Sequence, residues 1–171
     1  MKINFYAFKA IYLHEMDRFR RTLTQSVLSP VLTTSLYFIV FGSVIGGYVE
    51  KIDGISYGSY IVPGLLMLTL LTQSISNTSF GIFFPKFNGT IYEILAAPIS
   101  TLEVVLAFVG AGATKTLIVS IIIFITSLFF VDVQVKYPLL MIFLLILVAF
   151  TFALFGFLIG LMSSDFEQMS I

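Results

Sequence analysis

Residues 138–162 read PLLMIFLLILVAFTFALFGFLIGLM, and this stretch decides the fold. It carries no charge and is longer than the ~20 apolar residues with which a helix crosses the hydrocarbon core of a bilayer. The gaps from Arg21 to Glu50 and from Asp53 to Lys86 are also free of charged residues. Only 11% of the 171 residues are charged and 58% are apolar, against ~25% charged in a soluble domain. We therefore predict an all-α membrane protein.

The same patterns place the individual helices. Membrane spans are predicted at 30–49, 59–84, 104–130 and 138–162, joined by short polar connections. Ser29 and Pro30 form a typical helix start, with serine as N-cap and proline in the first turn. Residues 4–27 repeat apolar side chains every three or four positions beside basic residues, which favours an amphipathic helix at the membrane interface.

Basic residues predict the orientation. Six lie on one side of the predicted spans: Lys2, Lys9, Arg18, Arg20, Arg21 and Lys86. Only Lys51 and Lys136 lie on the other side, and an excess of lysine and arginine marks the cytoplasmic face. Tyrosines near the other ends of the spans (Tyr48, Tyr57, Tyr60 and Tyr137) agree with this assignment, because their rings prefer the interface. The N-terminus is thus expected in the cytoplasm.

Composition excludes several classes of function. The formal net charge is zero, so charge gives no reason to expect nucleic-acid binding. The chain has no cysteine, which excludes disulfides, thiolate metal sites and a cysteine nucleophile. His14 is a lone histidine among charges, which is typical of a solvated surface residue. No metal site and no catalytic residue are predicted.

Lys115 is the one ionisable residue well inside a predicted span. A lysine at a helix centre costs about 2.5–3.5 kcal/mol on insertion scales, so a role in pairing or in a wet path is one reading. Snorkelling to the interface is the other. The surrounding GAGATKT segment, 110–116, lacks the glycine spacing of a phosphate-binding loop. We therefore expect no ATP hydrolysis by this chain alone.

Polar side chains in the second span form a second candidate site. Thr69, Gln73 and Asn77 recur at helical spacing and share one face, and they either hold helices together or line a path for an amphiphilic substrate. Two small-residue pairs, Gly42 with Gly46 and Gly156 with Gly160, predict close helix packing within a subunit or across a dimer.

The connection between the second and third spans carries the strongest functional signal. Residues 88–98 predict a short helix after Gly89 that stops at Pro98. Ser100 and Glu103 have the spacing of a capping box that begins the next span. A short helix between two spans is a suitable docking surface for a cytoplasmic partner.

Four segments in this order and spacing carry a resemblance to a known family: YFIVFG (37–42), YIVPG (60–64), FNGTIYEILAAP (87–98) and the small-residue opening of the third span. They resemble the permease subunits of type-2 ABC exporters, particularly small permeases of the bacterial inner membrane. The resemblance implies a six-span fold, so the chain is expected to lack the last two spans. It also identifies 4–27 as a connecting helix and 88–98 as a coupling helix.

The resemblance further implies the partners and the site residues. Two ATP-binding-cassette subunits would bind the ATP and magnesium, while a second copy of the permease would complete a path through the membrane lipid. Coupling to the ATPase is expected at Thr90, Tyr92, Glu93 and Leu95. The substrate path is expected at Thr69, Gln73, Asn77 and Lys115. The alternative is an ATP-independent four-helix membrane transporter or a membrane scaffold protein, and nothing in the sequence selects the substrate.

Overall fold

The chain is built from α-helices, as predicted. The computed structural model describes residues 5–45, 54–133, 135–165 and 167–169. Within these residues the helices follow one another in this order: α1 (Phe5–Arg21), α2 (Leu23–Tyr37), α3 (Tyr57–Phe87), α4 (Ile91–Ala96), α5 (Thr101–Phe130) and α6 (Pro138–Met162). A π-helical segment, Phe38–Ile45, extends α2, and a short 3₁₀ turn covers Glu167–Met169.

Four helical segments in the described residues are long and apolar enough to cross a membrane. They are Leu23–Phe41, Tyr57–Phe87, Thr101–Phe130 and Pro138–Met162. Helices α5 and α6 end at the predicted residues 130 and 162. The end of α3 and the start of α5 extend beyond the predicted spans into the connection that holds α4. This arrangement confirms an all-α membrane protein.

The start of the first span differs from the prediction at Ser29 and Pro30. The structure begins α2 at Leu23, and Pro30 lies inside the helix. Residues 23–29 contain no glycine or proline that would stop a helix, so the helix forms ahead of Pro30. Proline is tolerated within a membrane helix because neighbouring groups can satisfy the carbonyl that it leaves without a backbone donor.

A single residue, Thr22, separates α1 from α2. Its hydroxyl donates to the Arg18 carbonyl oxygen at 3.2 Å, and it therefore satisfies a carbonyl at the end of α1. The chain is helical again after this break. The structure therefore divides the predicted amphipathic helix at 4–27, because its last residues belong to α2, the helix that also begins the first span.

The most extensive helix contact joins α3 to α6, and two glycines make it possible. A β-carbon at Gly156 would lie 2.8 Å from the Cα of Ile75, and one at Gly160 would lie 2.9 Å from the Cα of Ser79. Real β-carbons do not approach backbone this closely. The predicted packing role of the Gly156 and Gly160 pair is therefore confirmed, and the packing is within the subunit.

The bundle has two distinct ends. At the first, which we call the α4 end, the Lys86 ammonium donates to the carbonyl oxygens of Leu161 and Ser163 at 2.7 and 2.8 Å. It thereby satisfies carbonyls at the end of α6 that have no helical partner. At the opposite end the Ser59 hydroxyl donates to the Asp132 carbonyl oxygen at 2.9 Å. These bonds fix the relative heights of α3, α5 and α6.

The N-terminal helix α1 packs along α5 instead of standing apart from the spans. Phe19 is buried, and the Tyr12 hydroxyl donates to the Thr114 hydroxyl at 3.0 Å. The same helix exposes His14 and Asp17, so its two faces differ as the apolar periodicity predicted.

Several sequence predictions fall outside the described residues. They are residues 50–53 of the first polar connection and Gly46 of the first glycine pair. Three residues used to predict the orientation also fall there: Lys2, Tyr48 and Lys51. Gly42 lies in the π-helical segment. The predicted orientation of the N-terminus stays a prediction.

Candidate functional site: a surface helix and a charged cavity beside it

The short helix α4 forms the first candidate site. It is six residues long and presents two different faces. Ile91 and Ile94 pack against the main apolar core, whereas Tyr92 and Leu95 are 72% and 67% exposed. The exposed pair is spaced three residues apart, as one helical face requires. Large apolar side chains therefore project from the α4 end of the bundle.

Local interactions on both sides hold α4 in place. Gly89 has a φ of +78°, a conformation that side-chain-bearing residues rarely adopt, and it turns the chain from α3 into α4. After Pro98 the Ser100 hydroxyl accepts from the Glu103 amide at 3.3 Å, and the Glu103 carboxylate accepts from the Ser100 amide at 3.0 Å. This is the predicted capping box, which is confirmed.

The four predicted coupling residues are all exposed. Tyr92, Glu93 and Leu95 lie exposed on α4, and Thr90 precedes its first residue without forming a side-chain cap. They sit together at the α4 end, so the structure brings them onto one surface.

The polar residues of α3 are only partly joined. The Asn77 amide donates to the Gln73 side-chain oxygen at 3.3 Å and reaches the Thr116 hydroxyl on α5 at 3.5 Å. The Thr69 hydroxyl donates to the Leu65 carbonyl oxygen of its own helix at 2.9 Å. Gln73 and Asn77 therefore form a small network toward α5, whereas Thr69 lies outside it.

Lys115 is neither lipid-exposed nor paired with backbone. Its ammonium lies 2.7 Å from the Glu15 carboxylate on α1, and the same carboxylate oxygen accepts from the Arg18 guanidinium at 2.8 Å. Glu15 and Lys115 are each 2% exposed. Two cations thus share one buried carboxylate. We call Glu15, Arg18 and Lys115 the charged triad.

Sequence reasoning missed Glu15. The sequence gives little indication of its role, because it is one of several charged residues on α1 and its partner, Lys115, follows 100 positions later. The spacing of Glu15 and Arg18, three residues apart, predicts a local ion pair. Only the fold shows that this pair meets the one lysine within a span.

A cavity of about 300 Å³ lies beside the charged triad, between α1, α2, α3 and α5. Arg18 and Lys115 supply its cationic wall, and Ser76 and Asn77 add a hydroxyl and an amide. Phe80 and Phe84, both about half exposed, form an apolar wall. The cavity is therefore amphiphilic, with positive charge on one side and aromatic rings on the other.

Comparison with known proteins gives one consistent answer. The profile of the family described as "ABC-2 type transporter" matches residues 6–171. The chain is 37% identical over 171 residues to the "Inner membrane transport permease YadH" of Escherichia coli K12, covering all of this chain and 67% of that protein. The protein of the same name in Shigella flexneri gives the same values. No solved structure matches the chain.

Proposed function

Because this chain belongs to the ABC-2 type transporter family, we propose that it works as an exporter whose α4 helix receives the force of ATP hydrolysis. Membership makes the chain a membrane permease subunit of an ABC transporter, without an ATPase site of its own. The resemblance found in the sequence is thereby confirmed. The direction of transport, the coupling residues and the subunit number belong to the proposal.

The observation that carries the proposal is the exposed apolar face of α4. Tyr92 and Leu95 project from the α4 end, while Ile91 and Ile94 tie the helix to the core. An exposed tyrosine and leucine beside the acidic Glu93 suit a protein–protein contact, because aromatic side chains anchor interfaces. A push on this face would be transmitted through the two isoleucines to α3 and α5.

The ATPase partner would supply the nucleotide chemistry. We propose two ATP-binding-cassette subunits, which bind ATP and magnesium, and a second copy of the permease, which completes the transport path. Gln73 and Asn77 would line that path, with Thr69 one helical turn beyond them. Gln73 and Asn77 are both partly exposed within a span, and Asn77 also lines the cavity beside the charged triad, which supports this placement.

The relative's printed name places it in the inner membrane, and we propose the same location for this chain. The α4 end would face the cytoplasm, where ATP-binding subunits reside. Lys86 lies at this end, and Arg18 lies close to it, beside Gly81 of α3, which agrees with the excess of positive charge on the cytoplasmic side.

Co-purification with a candidate ATP-binding-cassette subunit from the same organism tests the proposal. We expect the double variant Tyr92→Ala, Leu95→Ala to lower the affinity for that subunit by about tenfold or more, as loss of interface anchors does. The matched control is Tyr137→Ala, Leu139→Ala, which removes the same two residue types from exposed positions at the opposite end. The control should retain binding.

Equal binding by the α4 variant and the wild-type chain would contradict the proposal. If no ATP-binding subunit is bound by either, α4 has no role in coupling.

A further inference from the structure

The charged triad is not neutral, and this imbalance is the starting point. Glu15 carries one negative charge, while Arg18 and Lys115 carry one positive charge each, so the formal charge of the group is +1. Among the residues that line the neighbouring cavity, Arg18 and Lys115 are the charged ones. Burying an uncompensated charge is costly, and an anion that enters the cavity would offset this cost.

The triad lies close to the α4 end of the spans. A β-carbon at Gly81 would lie 3.4 Å from the Glu15 carboxylate and 3.7 Å from the Arg18 guanidinium. Gly81 lies between Ser79 and Ile82, which both contact Gly160. Gly160 is two residues, or about 3 Å, from the last residue of α6. The charged groups are therefore near the level at which a membrane helix ends.

In a bilayer, lipid headgroups lie just outside the level at which the apolar part of a membrane helix ends. The side chain of Lys115 leaves α5 within the span and reaches toward the α4 end, as a snorkelling lysine does. Its side chain is almost fully buried, and its ammonium is bound by Glu15 beside the cavity. A phosphate at the inner boundary of the bilayer would lie at the height of the two cations.

The walls of the cavity suit an amphiphile better than a free ion. Arg18 is partly exposed, at 29% of its side chain, and can donate to an incoming group while it keeps its bond to Glu15. Phe80 and Phe84 line the side of the cavity nearer the α4 end, the level at which aromatic rings lie among lipid headgroups. Ser76 is exposed beside them and adds a hydroxyl donor. Leu68 is exposed on the same face of α3 toward the middle of the span, where an acyl chain would run.

We propose that this cavity binds the phosphate headgroup of an acidic phospholipid. Arg18 would hold the phosphate by charge-assisted hydrogen bonds, Lys115 would add its positive charge, and Ser76 would donate from its hydroxyl. The acyl chains would run from the phosphate toward the middle of the span, along the exposed face of α3 that carries Leu68. The site goes beyond the proposed coupling to an ATPase, because it needs only this chain and lipid.

Fluorescence quenching tests the proposal directly, because the chain contains no tryptophan. The Phe80→Trp variant places a single fluorophore in the cavity wall. The full chain is reconstituted into vesicles of phosphatidylcholine and phosphatidylglycerol, in which one lipid or the other carries brominated chains. We expect brominated phosphatidylglycerol to be preferred at this position by about tenfold, the effect of one charge-assisted hydrogen bond.

The matched position is Leu158→Trp. Leu158 is exposed on α6, two residues before Gly160, and it lies within a few residues of the same level as Phe80. It has no part in the cavity. We expect the two brominated lipids to quench this variant equally, which separates a specific site from a general enrichment of acidic lipid around the protein.

Two further changes test the role of charge. In the Phe80→Trp background, Arg18→Gln should abolish the preference for phosphatidylglycerol. Ser76→Asp should abolish it as well, whereas Ser76→Asn, which has nearly the same shape without the charge, should keep it. Because Ser76 is exposed, neither of its substitutions disturbs the core.

Three results would overturn the proposal. Equal quenching by both lipids at position 80 would show that the cavity has no preference for an anionic headgroup. A preference that survives both Arg18→Gln and Ser76→Asp would show that these charges do not cause it. Loss of the preference on addition of inorganic phosphate would assign the site to a soluble anion and not to a lipid.

Discussion

Replacing Lys115 by methionine should destabilise the bundle substantially. The change removes a cation that is 2% exposed and leaves the Glu15 carboxylate buried. Breaking a buried ion pair by removing one partner costs about 3–5 kcal/mol. Glu15 would keep its contact with Arg18 at 2.8 Å, so we expect the lower part of this range, about 3 kcal/mol.

Removing both charges should lower the free energy of unfolding by much less than removing either charge alone. In the double variant Glu15→Gln, Lys115→Met neither buried charge remains, and replacing a buried pair by uncharged groups of similar volume is often close to neutral. We expect a cost within about 1 kcal/mol and a coupling free energy of at least about 2 kcal/mol between the two sites. Because the methionine side chain is about as long as the lysine stem, packing is largely kept.

Reversible unfolding of the purified chain in mixed micelles, followed by circular dichroism, would measure these free energies. Lys136→Met is the matched control, because it removes an exposed lysine at the opposite end and should change the stability by less than about 0.5 kcal/mol. If Lys115→Met costs no more than this control, the ion pair contributes nothing to the bundle. A double variant that is as unstable as the two single changes combined would also refute the reasoning.

Three other changes have expected outcomes in the same unfolding assay. Gly160→Ala should destabilise by about 1–3 kcal/mol, because its β-carbon would meet the backbone at Ser79; Gly64→Ala, where a β-carbon has open space, should be neutral or slightly stabilising. Ser100→Ala should cost about 1 kcal/mol through loss of the capping box, and restoring stability with Ser100→Thr would support this cause. Tyr12→Phe should cost about 1 kcal/mol, since it removes the hydrogen bond to Thr114; an unchanged midpoint would show that this bond does not hold α1 on α5.

Sequence patterns predicted the features that depend on neighbouring residues. The spans follow from long apolar runs, and the capping box follows from two residues three positions apart. The short helix α4 was predicted from Gly89 and Pro98, which bound it on both sides. In each case the information lies within one helical segment, so no knowledge of the fold was needed.

The remaining features depend on residues far apart in the chain. The partner of Lys115 lies on α1, where Asp17 with Arg20 has the same local pattern as Glu15 with Arg18. Pro30 was misassigned because proline at a helix start and proline inside a membrane helix look alike in sequence. The surface that Gly160 packs against is part of α3, and only the helix arrangement identifies it.

The contact between α4 and an ATP-binding subunit is the central claim, and the absence of cysteine makes it directly testable. A single cysteine at Glu93→Cys, on the exposed face of α4, should crosslink to a cysteine placed on the surface of the ATP-binding subunit in native membranes. Asp132→Cys, which replaces an exposed carboxylate at the opposite end, should not. A crosslink at position 132 but not at position 93 would contradict the account. So would the absence of a crosslink at both positions when the ATP-binding subunit is bound to the permease.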